Sequence, residues 1–213
     1  MFITNLILVL VVLTNLKLLG SSRLGASIRV VATQGVVLGI LPILAHWQEM
    51  SAHFGLLAVG TIVIKGIVFP WFLFRAIREA EIAREIEPYI GYAASLVTGA
   101  MALGISFWLC TKLPIPENIA SPWLVPVSFF SIFAGLFLIV SRKRAVSQVL
   151  GFLVLENGIY TFGVGVVVKT PFLVEAGVLL DVFVAVFVMG ITIFHINREF
   201  DHIDTGRLSA LKD

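Results

Sequence analysis

Apolar runs of about 20 residues succeed one another along almost the whole chain, separated only by short polar breaks. A run of that length is what a helix needs to cross the roughly 30 Å hydrocarbon core of a bilayer at 1.5 Å per residue. Water is absent at that depth, so the backbone of each run must satisfy its own N–H and C=O groups, and a helix does so within one segment. Composition agrees. Hydrophobic residues fill 59% of the 213 positions and charged residues 13%, where an ordinary soluble domain carries about 25% charged residues, and the mean hydropathy is +1.03. The pattern predicts an all-α integral membrane protein with seven transmembrane helices, near residues 2–19, 27–46, 53–76, 88–110, 122–140, 146–168 and 173–196. The first run, MFITNLILVLVVLTNLKLLG, lacks the basic leading region and small-residue cleavage site of a signal peptide and reads as a retained span.

Loop charge predicts the orientation. One set of loops and span ends holds Lys17, Arg23, Arg29, Arg75, Arg78, Arg84, Arg142, Lys143, Arg144, Arg198, Arg207 and Lys212; the other holds Lys112 and Lys169. Basic residues remain cytoplasmic in short loops, so the N-terminus is expected outside and the tail from Arg198 inside. Trp47, Trp108 and Trp123 fall at the expected outer boundary, where amphipathic rings settle. The hydrophilic stretch RAIREAEIAREIEP at 75–88 interleaves Arg and Glu at helix-neighbour spacings, such as Arg75 with Glu79, and reads as a cytoplasmic extension of the third span. Pro88 is expected to restart the chain as a first-turn residue of the fourth span. The loop TKLPIPENIASPW carries three prolines and divides a four-span N-terminal region, 1–111, from a three-span rear region with a cytoplasmic tail, 122–213. Each half opens on a plain apolar span, turns at SSR (21–23) or SRKR (141–144) and continues into a second span, a pattern of internal repetition that sets Gln34 against Glu156 and Lys65 against Asp181.

Three charged residues interrupt the middle of spans. Glu156 lies in GFLVLENGIYTFGVGVVV, Asp181 in VEAGVLLDVFVAVFVMGI and Lys65 in GTIVIKGIVFPWF. A charge at the bilayer centre costs about 3 kcal/mol on insertion scales, so such residues face a protein interior and mark an ion or proton path. Glu156 lies about 15 Å from its basic turn and Asp181 about 12 Å from the outer end of the next, oppositely directed span, so the two carboxyl groups are expected in one layer. Lys65 is the natural counter-ion. Pro70 frees the carbonyl four residues before it and predicts a break in the helix beside the lysine. Burial disfavours the charged form of a carboxyl group and a neighbouring cation favours it, which is the balance a proton relay needs. Glu175 would extend the path outward, and Arg144 and His195 inward. His46, His53, His195 and His202 lie near span ends, without the facing mid-membrane pair that haem requires. Cys110 is the single cysteine, so no disulfide or cysteine-rich metal site forms within the chain. No cofactor is expected in this chain, and the basic residues between spans do not indicate nucleic acid.

The rear half, with GFLVLENGIY, LLDVFVAVFVMGI and the tail INREFDHIDTGRLSALKD, resembles the small K subunit of bacterial respiratory complex I. That family has three spans, a glutamate in the second and an acidic residue in the third; here Glu156 takes the first place and Asp181, one methylene shorter than glutamate, the second. With its front extension and the phrases SRKRAVSQVLGFLVLENG and TGRLSALKD, nearly the whole chain resembles the E components of hydrogenase-4, in formate hydrogenlyase-type membrane-bound hydrogenases. The segment KGIVFPWFLFRAI resembles the lysine-then-proline broken helix of antiporter-like subunits. These resemblances imply a subunit of a prokaryotic inner membrane, embedded in the lipid bilayer beside antiporter-like and other small membrane subunits. They also imply a peripheral hydrogenase arm whose nickel–iron centre and iron–sulfur clusters lie in partner chains.

The expected function is proton or sodium transfer through Lys65, Glu156, Asp181 and Glu175, coupled to electron transfer in partners. Two alternatives stay open: a structural subunit whose polar residues only fix helix registry, and an independent ion transporter.

Overall fold

The computed structural model describes residues 2–45, 59–60, 62–79, 88–113 and 121–166. The regular structure among these residues is helical, without a strand: α1 (Phe2–Leu19), α2 (Leu24–Ala45), a π-helical turn (Ile64–Val68) running into α3 (Phe69–Glu79), α4 (Tyr92–Cys110), α5 (Leu124–Ser141) and α6 (Ala145–Val166). Five of them, α1, α2, α4, α5 and α6, contain stretches long and apolar enough to cross a membrane. Seven spans are expected from the sequence. The third expected span is described from residue 59 onward, and the seventh, 173–196, lies outside the described residues.

The first, fifth and sixth expected spans fall within two residues of α1, α5 and α6, and α2 begins three residues earlier than expected. The fourth differs more. Residues 88–91 are not helical, so Pro88 is not a first-turn residue, and the helix opens after Gly91 (φ −58°, ψ 155°). Two causes are visible: the Tyr89 N–H donates across to the Ser141 carbonyl at 2.9 Å, and Gly91 adopts an extended conformation that starts the helix one residue later. The break predicted beside Lys65 takes the form of the π turn. Phe69 N–H donates to Ile64 O, five residues back, and the absent N–H of Pro70 falls at the junction of the two helix types.

Packing is layered. At the basic end Leu18, Leu19, Ile28, Phe69, Leu138 and Leu150 belong to one apolar cluster; at the other, Leu8, Val11, Leu38, Leu41, Leu124 and Val127 form a second. Between them four helices contribute polar side chains at the next position of their inward stripes: Asn15 follows Val11 in α1, Gln34 precedes Leu38 in α2, Ser131 follows Val127 in α5, and Glu156 follows Leu153 in α6. All four are buried. The inward stripe therefore carries an apolar, polar, apolar sequence along every one of these helices.

Glycine sets how closely some helices approach. A Cβ on Gly151 would lie 2.9 Å from the Gly135 carbonyl oxygen, and one on Gly158 would lie 2.8 Å from the backbone N of Ile132, so α5 and α6 pack nearly backbone to backbone. Across α2 and the π turn, a Cβ on Gly35 would lie 2.6 Å from Lys65 Cβ. That small residue makes room for the lysine stem.

The basic end is tied by Arg142, only 2% exposed. Its Nη2 donates to the Leu19 carbonyl at 2.6 Å, and its guanidinium lies 4.7 Å from the centre of the Tyr92 ring. The ends of α1 and α5 and the start of α4 therefore meet at one face. At the opposite end Trp108 and Trp123 are exposed, and the rings of Phe107 and Trp123 meet edge to face at 6.5 Å, as expected of a shared boundary.

Candidate functional site

Lys65 and Glu156 come together. The π turn holds Lys65 against α6, and Lys65 Nζ donates to Glu156 Oε1 at 2.6 Å with side chains 5% and 2% exposed. Glu156 is the twelfth of the 22 residues of α6, so the pair lies near the middle of that helix. Lys65 Nζ also donates to Asn157 Oδ1 at 3.0 Å and lies 5.3 Å from the centre of the Tyr160 ring, a distance at which a ring face attracts a cation. Two adjacent residues and a third one turn further on thus surround the ammonium from one helix. The second carboxyl oxygen, Glu156 Oε2, is buried and has no hydrogen-bond partner among the described residues.

A chain of uncharged groups continues from the pair. Asn157 Nδ2 donates to Gln34 Oε1 (3.2 Å), Gln34 Nε2 to Asn15 Oδ1 (2.8 Å) and to Thr14 Oγ1 (3.2 Å), and Asn15 Nδ2 to Ser131 Oγ (2.9 Å). These bonds link α6, α2, α1 and α5, with the π turn at one end. Such networks place polar groups in an apolar interior without leaving them unsatisfied. An ion pair within hydrogen-bond reach at this depth has the geometry for passing a proton between its members, and removal of either member would strand the other.

Of the residues singled out in the sequence, Lys65 and Glu156 are united. Arg144 is not part of the pair: it precedes α6, twelve residues before Glu156, about 18 Å along the helix axis. Asp181, Glu175 and His195 lie outside the described residues. The sequence reading does not single out Asn15, Ser131 or Asn157, and gives Gln34 only as a repeat position set against Glu156. The signal was there, since Asn15 and Gln34 are amides inside the otherwise apolar stretches LVVLTNLKLL and VVATQGVVLG, and amides inside membrane helices tend to bond across to neighbours.

The fold and this site define a multi-pass helical membrane protein with a buried ion pair and an amide network among its helices. Compared with known proteins, it is 30% identical over 203 residues, 95% of this chain and 92% of the relative, to the uncharacterized protein Rv0085 of Mycobacterium tuberculosis, and it belongs to that protein's family. It is also 32% identical over 101 residues to hydrogenase-4 component E of Escherichia coli K12 and to that of Shigella flexneri, 47% of this chain and 46% of each relative. The expected likeness to that component is thus found over about half the chain rather than nearly all of it, and the likeness to the complex I K subunit finds no support in these comparisons. No family model matches the chain, and no solved structure matches it significantly.

Proposed function

We propose that the chain is a membrane-arm subunit of a hydrogenase-type, complex I-like assembly, and that Lys65 and Glu156 take part in moving protons or sodium ions across the membrane. The observation that carries this reading is the buried 2.6 Å ion pair in the middle of the helices, because charges at such depth are expensive and concentrate on ion paths. The partial similarity to hydrogenase-4 component E supports the setting. In this reading the chain has seven spans, its N-terminus outside and its tail in the cytoplasm of a prokaryote. Antiporter-like and other small membrane subunits flank it, and a peripheral arm with nickel–iron and iron–sulfur centres supplies the redox energy. Asp181 would share the layer of Glu156, Glu175 would extend the path outward, and Arg144 and His195 would extend it inward.

The step assigned to the pair is proton exchange. A proton passes between Lys65 Nζ and Glu156 Oε1 along the hydrogen bond that joins them, and is handed on when a neighbouring charge moves.

Purification of the tagged chain in a gentle detergent, with identification of co-purifying subunits and an assay of hydrogen-linked electron transfer, tests the setting. Recovery of an iron–sulfur and nickel–iron arm with antiporter-like subunits supports it. Recovery of the chain alone under these conditions supports an independent transporter instead. The amide network linking four helices favours a second reading, a scaffold that fixes helix registry. Under that reading, neutralising the ion pair would abolish assembly with no separate transport defect.

A further inference from the structure

The hydrogen bonds leading away from Lys65 all point one way. An ammonium has donors and no acceptor, so Asn157 turns its carbonyl to Lys65 Nζ (3.0 Å) and its NH2 to Gln34 Oε1 (3.2 Å). Gln34 in turn has its carbonyl occupied, and its NH2 reaches two acceptors, Asn15 Oδ1 at 2.8 Å and Thr14 Oγ1 at 3.2 Å. Asn15 passes the same polarity to Ser131 Oγ at 2.9 Å, and the Ser131 hydroxyl donates to the Val127 carbonyl at 2.9 Å. At one end the direction is fixed by a cation, at the other by a backbone carbonyl. Turning Gln34 over would set NH2 against NH2 and C=O against C=O, and turning Asn157 over would set its NH2 against the Lys65 ammonium, none of which is a hydrogen bond. Consecutive bonds of one polarity strengthen each other.

We propose that Gln34 and Asn157 are positioning residues for the Lys65–Glu156 pair. The amide chain, fixed at α1 and α5, locks Asn157 with its carbonyl toward Lys65, so Lys65 Nζ, which still has N–H donors as a neutral amine, keeps this acceptor when its proton passes to Glu156, and the side chain stays in register for the return transfer. Gln34 acts through Asn157 and does not touch the ion pair. The purpose of this arrangement rests on the proton-exchange reading above; its geometry does not.

Solid-state NMR of the full chain in lipid bilayers tests it, with 15N at lysine Nζ and 13C at the asparagine side-chain carbonyl. The proposal predicts a dipolar coupling between Lys65 Nζ and Asn157 Cγ in the wild type, with Asn157→Leu giving the background level. Gln34→Met, which can neither accept from Asn157 nor donate to Asn15, is expected to lose the coupling. Gln34→Glu, which still offers an acceptor to Asn157 Nδ2, is expected to retain it. A coupling unchanged in Gln34→Met, or lost in Gln34→Glu, overturns the proposal. So does a wild-type signal at background, which can be read even if Gln34→Met does not fold. The measurement needs neither partner subunits nor transport, so a failure of the functional reading leaves its result intact and distinguishable.

Discussion

Glu156 and Lys65 are each tolerable at mid-membrane because of the other, so their substitutions should not be additive. Glu156→Gln or Lys65→Met alone strands one buried charge, a loss of about 3–5 kcal/mol for a broken buried pair, whereas the double substitution removes both charges and should recover most of that loss. Denaturant unfolding of the purified chain in mixed micelles measures this; a double variant that loses the sum of the two singles would contradict the pairing. Both residues were legible in the sequence, since a charge in an apolar run stands out. Their contact was not, because 91 positions separate them and nothing in the order of residues says which helices are neighbours. Asn15, Gln34, Asn157 and Ser131 were harder still. An uncharged amide is much less costly in a bilayer than a charge, and only its depth, level with Glu156, could have placed it in the same layer.

Helix contacts depend on glycines in unequal degree. Gly151→Ala would press a methyl group on the backbone of α5, 2.9 Å from both Gly135 O and Ile139 N, and backbone atoms give way poorly; a loss of about 1–3 kcal/mol is expected from such overpacking. Gly104→Ala, with nothing within 4 Å, should instead be neutral or gain up to about 1 kcal/mol from helix propensity. Thermal unfolding of the two variants side by side checks the contrast, and equal effects would deny the close approach of α5 and α6. The π turn invites a different change. Deleting Ile67, an exposed position, would return the segment to α geometry and turn Lys65 by about 100° relative to α3. Stability should fall as it does in Lys65→Met; a deletion variant as stable as the wild type would show that the turn does not aim the lysine. Helix positions were largely readable from the apolar runs, but their inward faces were not. These helices are apolar all round, so no face is marked by polarity, and the sorting into two apolar clusters around a polar layer appears only once the helices are packed.

For the whole molecule, three of the helix ends that loop charge groups on one side, at Leu19, Tyr92 and Arg142, gather at one face around a buried guanidinium. Arg142→Leu removes a charged hydrogen bond worth about 1.5–3 kcal/mol and should loosen α4 in particular, seen as faster amide exchange at the start of that helix; unchanged exchange there would deny the tie. The resemblance to hydrogenase-4 component E was visible in phrases of the rear half, while similarity along 95% of the chain is to a relative whose name states no activity, so sequence leads to a setting more readily than to a mechanism. The proposed ion-transfer role rests on Glu156. The decisive measurement is ion translocation per electron in inverted membrane vesicles containing the assembled complex, comparing wild type with Glu156→Gln at equal content of this subunit. Loss of a group that carries protons predicts a fall of about 100-fold or more in translocation with the subunit still assembled; unchanged translocation in the assembled Glu156→Gln complex would contradict the account.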